Sequence, residues 1–283
     1  MSRCESNVDE LIIPELVAIP GTVSSRLAEY RGWRGDAAAD VSALTDAALG
    51  LDVRNLTVTA IDSPNPCARY SAVSFAVGGE TVCARLIEPV GRVRVSDRAP
   101  LCLMFHDIDR PVRGWHHMTR FAAMGYAVLA LDDEAVGMDD LGQGIASPVF
   151  VERVRWGCAM AIVAHMLDGV DPDRIFAWGE GLGGGIALAV SALDGRGLAC
   201  TAVANPLPGG LEALSSRVRG SVLMGTSLMD TVSDPKDQFA VFNGLECDRR
   251  HIIYAKYAHE RINAFENEVV DFFNQTFYSC SLA

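Results

Sequence analysis

The stretch Trp178-Gly179-Glu180-Gly181-Leu182-Gly183-Gly184-Gly185 sets glycines at every second position between a short apolar run and an alanine-rich segment. A strand that enters a helix through such a turn is built like the Gly-x-Ser-x-Gly nucleophile elbow, whose crest presents a serine oxygen to an acyl carbon. Here the crest is Gly181, which carries no attacking atom. Asp230 and His259 follow, completing the chain order nucleophile, acid, histidine. A histidine that takes the serine proton, and a carboxylate that holds the histidine, are the other two parts of serine-type hydrolysis. The pattern therefore predicts the scaffold and two of the three catalytic groups. Removing one triad member leaves ~10³–10⁴-fold catalysis over water, far below a working enzyme.

From Pro100 onward short apolar runs alternate with longer helical ones: 101–105, 126–131, 175–178, 199–204, 221–224 and 252–255 read as strands. Helices are expected over 115–124, 150–167 and 261–273, with one after the elbow. Such alternation implies a parallel sheet covered on both faces. Ligands in these sheets sit beyond the carboxyl ends of the strands. The residues found there are His106-Asp107-Ile108, Asp132-Asp133-Glu134, the elbow, Asn205-Pro206, Asp230 and His259-Glu260. Backbone N–H groups of Ile108 and Leu182 are expected to form an oxyanion hole, with Asn205 and Pro206 as substrate contacts. Upstream, residues 1–35 read as irregular, followed by a helix capped by Asp36 and running to Leu49. Strands over 56–61, 70–77 and 81–87 come next, the last two joined by a Gly78-Gly79 hairpin turn. The expected fold is α/β: an α/β-hydrolase fold with a mostly parallel central sheet flanked by helices, an N-terminal arm and an antiparallel edge hairpin. Residues 1–283 are read as one domain, with 1–52 as arm and helix and 53–283 as core.

From Leu27-Ala28-Glu29-Tyr30 onward the sequence resembles carbohydrate esterase family 7, the acetyl xylan esterases and cephalosporin-C deacetylases. The resemblance is carried by Val170-Asp171-Pro172-Asp173-Arg174-Ile175 leading into the elbow, by Leu228-Met229-Asp230 and by His259-Glu260. It implies an α/β-hydrolase core and removal of acetyl groups from sugars and cephalosporins. The family's Gly-x-Ser-Gln-Gly reads Gly179-Glu180-Gly181-Leu182-Gly183, and its Arg-Gly-Gln is replaced by Glu134-Ala135-Val136. Its tyrosine-bearing oxyanion loop reads His106-Asp107-Ile108. The segment from Val136 to Phe150 is short where the family builds a hexamer contact.

Other chemistries fit less well. Gly179-x-Gly181-x-x-Gly184 satisfies a dinucleotide fingerprint, yet the next strand ends in Asn205-Pro206 with no acid for a ribose. His116-His117 and His106-Asp107-x-Asp109 lack an ordered set of three ligands at helical spacing, so they read as solvated loop residues; no metal and no cofactor are expected. The formal net charge of −12 over 283 residues disfavours nucleic acid and anionic membranes as partners. Eight scattered cysteines without a Cys-x-x-Cys pair read as free thiols, with Cys83, Cys102 and Cys200 as core residues, and a cytoplasmic location is expected. The first expectation is a catalytically impaired pseudo-esterase that binds an acylated small molecule or carbohydrate. The alternatives are a deacetylase using His259 and Asp230 with a non-standard nucleophile or activated water, or a non-catalytic subunit of an oligomer, including a homo-oligomer.

Overall fold

The structure, a computed structural model, describes residues 11–12, 21–35, 39–91, 98–108, 115–142 and 144–281. Among them ten strands form one sheet. These are β1 (Leu11–Ile12), β2 (Arg54–Ile61), β3 (Ala68–Val77), β4 (Glu80–Pro89) and β5 (Ala99–Phe105), then β6 (Ala127–Leu131), β7 (Val170–Glu180), β8 (Cys200–Ala204), β9 (Ser221–Ser227) and β10 (Arg249–Tyr254). The helices are α1 (Gly21–Tyr30), α2 (Ser42–Ala48), α3 (Trp115–Ala123), α4 (Pro148–Met166), α5 (Leu182–Leu193), α6 (Pro235–Gly244) and α7 (Asn263–Ser281). The spatial order is β1-β10-β9-β8-β7-β5-β6-β4-β3-β2. Pairing is parallel from β1 to β6 and antiparallel from β6 through β4 and β3 to β2.

Side-chain alternation splits the core into two layers. On β5, Leu101, Leu103 and Phe105 face a layer built with α4 and α5. Cys102 and Met104 face the other, built with α3 and α7. Every residue of β5 and β6 is buried, as continuous apolar runs in a covered parallel sheet require. No helix among the described residues is long and apolar enough to cross a membrane.

Three local expectations are corrected. The 21–30 segment is a helix rather than irregular, and Leu27 on it is buried against Leu228, Phe239 and Ile253. Its few apolar residues gave too weak a period to reveal it, and only tertiary packing makes it stable. Helix α2 starts at Ser42, whose N–H donates to Asp40 Oδ1 at 2.9 Å; Asp36 lies outside the described residues, and Leu49 is exposed beyond the helix end. Cys83 is exposed, whereas Cys102 and Cys200 are buried as expected. The Gly78-Gly79 turn has positive φ at both residues, the geometry of a tight hairpin.

The glycines after β7 are demanded by close approach. A Cβ on Gly183 would fall 2.4 Å from the Phe105 carbonyl oxygen, and one on Gly185 1.5 Å from that of Leu207. Helix α5 therefore packs backbone against backbone beside β5 and β8. Gly185→Ala should cost about 3 kcal/mol or more, because the obstruction is main chain and cannot swing aside. Gly195→Ala, with open space around its Cβ, should change stability by less than about 0.5 kcal/mol. Thermal denaturation of the two variants checks this; equal melting temperatures would contradict the packing account.

Candidate active site

Strand β7 ends at Glu180 and the chain turns at Gly181 with φ +50° and ψ −121°. That backbone conformation suits glycine and strains other residues. The Gly181 N–H donates to Ala204 O at 2.9 Å, and its carbonyl accepts from Gly185 N–H at 3.1 Å and Leu207 N–H at 2.9 Å. The crest is thus fastened to β8 and to the loop that follows it.

The space where a crest side chain would stand is filled. A Cβ at position 181 would lie 1.7 Å from Oδ1 of Asp107. Asp107 follows β5, and its carboxylate reaches over the crest. Its Oδ1 accepts from the Ile108 N–H at 2.8 Å and from the Leu182 N–H at 3.0 Å. These are the two donors expected to form the oxyanion hole, and they do converge, on an oxygen supplied by the protein itself. The other oxygen, Oδ2, lies 3.1 Å from His259 Nε2. On the far side of the ring, His259 Nδ1 lies 2.7 Å from Asp230 Oδ2. Both ring nitrogens therefore face carboxylate oxygens, an arrangement satisfied in full only when the imidazole is protonated and donates twice.

Asp230 is placed by the turn after β9. Its Oδ1 accepts the N–H groups of Val232 and Ser233 at 2.8 and 2.9 Å, leaving Oδ2 for the histidine. Asn205, with φ +46°, joins β8 to β9. Its Oδ1 accepts the Ser227 N–H at 2.8 Å, and its Nδ2 donates to Ser227 Oγ at 3.0 Å. The Pro206 carbonyl accepts from Ser233 Oγ at 2.8 Å. The polar groups of these two residues thus brace the turn that carries Asp230.

Asp107 is 7 % exposed. Burying an ionised carboxylate costs several kcal/mol, so its partners must compensate. Burial alone would raise its carboxyl. The hydrogen bond and charge of His259, with the Leu182 and Ile108 N–H groups, outweigh that and hold it below the usual carboxylate range. Burial would likewise discharge His259, but the hydrogen bonds and charges of Asp107 and Asp230 prevail and raise it to about 9. His251 provides the contrast. Buried between Phe239 and Phe242, with Thr226 Oγ1 2.9 Å from its Nε2, it is driven down to about 3 by burial and by Arg249.

The sequence pattern located Gly181, Ile108, Leu182, Asp230 and His259, and the structure brings all five together. It missed Asp107, which was expected as a solvated loop residue and is instead the central group. The readable signal was a pair: an acidic residue two positions after β5, and a crest residue too small to exclude it. Asp109 and the side chains of His116 and His117 lie outside the described residues. Among those described, no group of three His, Cys, Asp or Glu residues is arranged to hold a metal.

Residues 210–276, which include Asp230 and His259, match the sequence model of the family "Acetyl xylan esterase (AXE1)". The quorum-quenching protein AidA of Acinetobacter baumannii (strain MDR-ZJ06) is 31% identical over 137 residues, covering 47% of this chain and 44% of AidA. The chain thus spans less than half the length of that curated relative. Among solved structures, acetyl xylan esterase 1 from Thermoanaerobacterium sp. JW/SL YS485 superposes with a TM-score of 0.75 at 19% identity, over 89% of this chain and 98% of that one. The acetyl xylan esterase from Paenibacillus sp. R4 gives a TM-score of 0.71 at 18% identity, over 88% and 99%. At such identities the superpositions establish the fold, and the match over 210–276 adds the kind of sequence that fills it. The chain thus has the α/β-hydrolase fold seen in the acetyl xylan esterases, a stretch over 210–276 that matches their family model, and an aspartate carboxylate standing over a glycine crest.

Proposed function

We propose that this protein is a pseudo-esterase, an acetyl xylan esterase-like fold that does not turn over acetyl esters by a serine mechanism. The observation that carries this reading is Asp107 Oδ1 seated between the N–H groups of Ile108 and Leu182. Acyl transfer needs a nucleophile and two free donors for the oxygen that gains charge. Gly181 supplies no nucleophile, and the donors are engaged. A water activated by His259 is disfavoured for a separate reason: an imidazolium held between two carboxylates has no lone pair with which to take a proton. An acylated small molecule or a carbohydrate bound beside the cluster would then have its carbonyl excluded from the hole while Asp107 stays in place.

Two outcomes test this. In an acetyl-ester assay the parent and Gly181→Ser should both be silent, since the new serine would collide with Asp107 and carry on the order of 1–3 kcal/mol of backbone strain. The double variant Asp107→Ala/Gly181→Ser clears that space and frees the hole, and should exceed either by about 10²-fold or more. Parent turnover that disappears in His259→Ala would overturn the reading. The second outcome concerns pH. Because the folded value of His259 lies near 9 and its ordinary value is 6.5, its contribution to stability is complete below 6.5 and is lost as pH rises through about 9. The melting temperature should fall across that window, and the fall should be smaller and complete at lower pH in Asp107→Asn, whose folded-state His259 lies closer to 6.5. A parent curve flat across the window would contradict the double ion pair.

A further inference from the structure

The arrangement that excludes an acyl oxygen suits a different electrophile. The two oxygens of Asp107 are in unlike situations: Oδ1 is held by two backbone N–H groups in the hole, while Oδ2 faces His259 Nε2. Carboxylates are established covalent nucleophiles, and an ester of Asp107 would have its carbonyl oxygen already between two N–H donors. We propose that Asp107 acts as a nucleophile toward saturated carbon, and that the site opens strained cyclic ethers, of the epoxide class, to diols through an alkyl ester on Asp107.

The step sequence balances. An electron pair of Asp107 Oδ2 forms a bond to a ring carbon as the ring C–O bond breaks, and the departing ring oxygen takes the proton from His259 Nε2. The negative charge of this step develops on the leaving ring oxygen, where the His259 proton meets it, so the engaged hole is no obstacle. His259, now neutral and still held at Nδ1 by Asp230, accepts a proton from a water that attacks Cγ of the Asp107 ester. The negative charge formed there falls on Oδ1, between the N–H groups of Ile108 and Leu182. Collapse expels the second alkoxide, which takes the proton of the new carboxyl group. Asp107 returns ionised and His259 protonated, as they began.

The leaving group is what selects the class. An epoxide oxygen needs a proton as its bond breaks, and the resting site holds an N–H donor directly beside the attacking oxygen. An ester substrate would give an anhydride on Asp107 and an acyl oxyanion with no donors left. This inference goes beyond the pseudo-esterase reading, and the two fail separately: acetyl-ester turnover by the parent would sink that reading, whereas the isotope result below decides this one.

The experiment is a single turnover of the parent, with enzyme in excess, in heavy-oxygen water. The probes are styrene oxide, a terminal alkyl epoxide and cyclohexene oxide. The expected result, with at least one probe, is an unlabelled diol and one heavy oxygen in the proteolytic peptide that contains Asp107. Diol formation should drop by about 10²-fold or more in Asp107→Ala and in His259→Gln. No diol above the enzyme-free rate with any of the three probes overturns the proposal. So does a first-turnover diol that carries the heavy oxygen while the Asp107 peptide remains unlabelled. Both readings come from the parent protein and do not depend on how well the variants fold.

Discussion

A single carboxylate oxygen, Asp107 Oδ1, is shared by two backbone N–H groups, those of Ile108 and Leu182, which are contributed by the ends of neighbouring parallel strands. Three conditions make that contact possible. The crest must lack a side chain, since a Cβ on Gly181 would occupy the same point. The register of β5 with β7, Phe105 opposite Gly179, must bring the two N–H groups to one place. A cation must then stand close enough to offset the burial of the charge, and His259 does so from a turn after the last strand of the sheet. Each condition belongs to a different segment, so the site is a property of the whole sheet rather than of any motif.

The contrast between His251 and His259 shows which physical term decides. His251 sits among aromatic rings with a threonine hydroxyl as its polar neighbour, and desolvation keeps it neutral. His259 is also largely buried, but two carboxylates bracket it, and their charges overcome the same penalty. The cluster carries two negative groups and one positive one. The surplus charge is spread over four backbone N–H groups: Ile108 and Leu182 for Asp107, Val232 and Ser233 for Asp230. Hydrogen bonds to ionised groups are roughly twice as strong as neutral ones, which is how such a cluster persists away from water.

Much of the fold was legible because it rests on local periodicity. The continuous apolar runs of β5 and β6, and the glycine turn after β7, have signatures that tertiary context does not alter. Helix α1 was not legible, because Leu27 is its one buried residue and its stability comes from packing on Phe239 and Ile253. Of the site, Gly181, Asp230 and His259 were found through order along the chain, and the N–H pair through the geometry an elbow imposes. Asp107 was hidden because a lone aspartate after a strand is ordinarily a solvated end. Its meaning appears only when the empty crest opposite is considered with it, and that juxtaposition is spatial.

The ion cluster also has a bearing on how the chain acquires its structure. Asp107 and His259 are 152 residues apart, and the histidine lies beyond β10. Contacts of such long separation are entropically late, because the intervening chain must be ordered before they form. During synthesis β5, β6 and β7 emerge well before the counter-ion does. Until then Asp107 has no cation, and a carboxylate buried in that state favours taking up a proton or turning outward to water. Arrival of the last strand and the turn after it therefore supplies the cation that offsets the burial of the carboxylate.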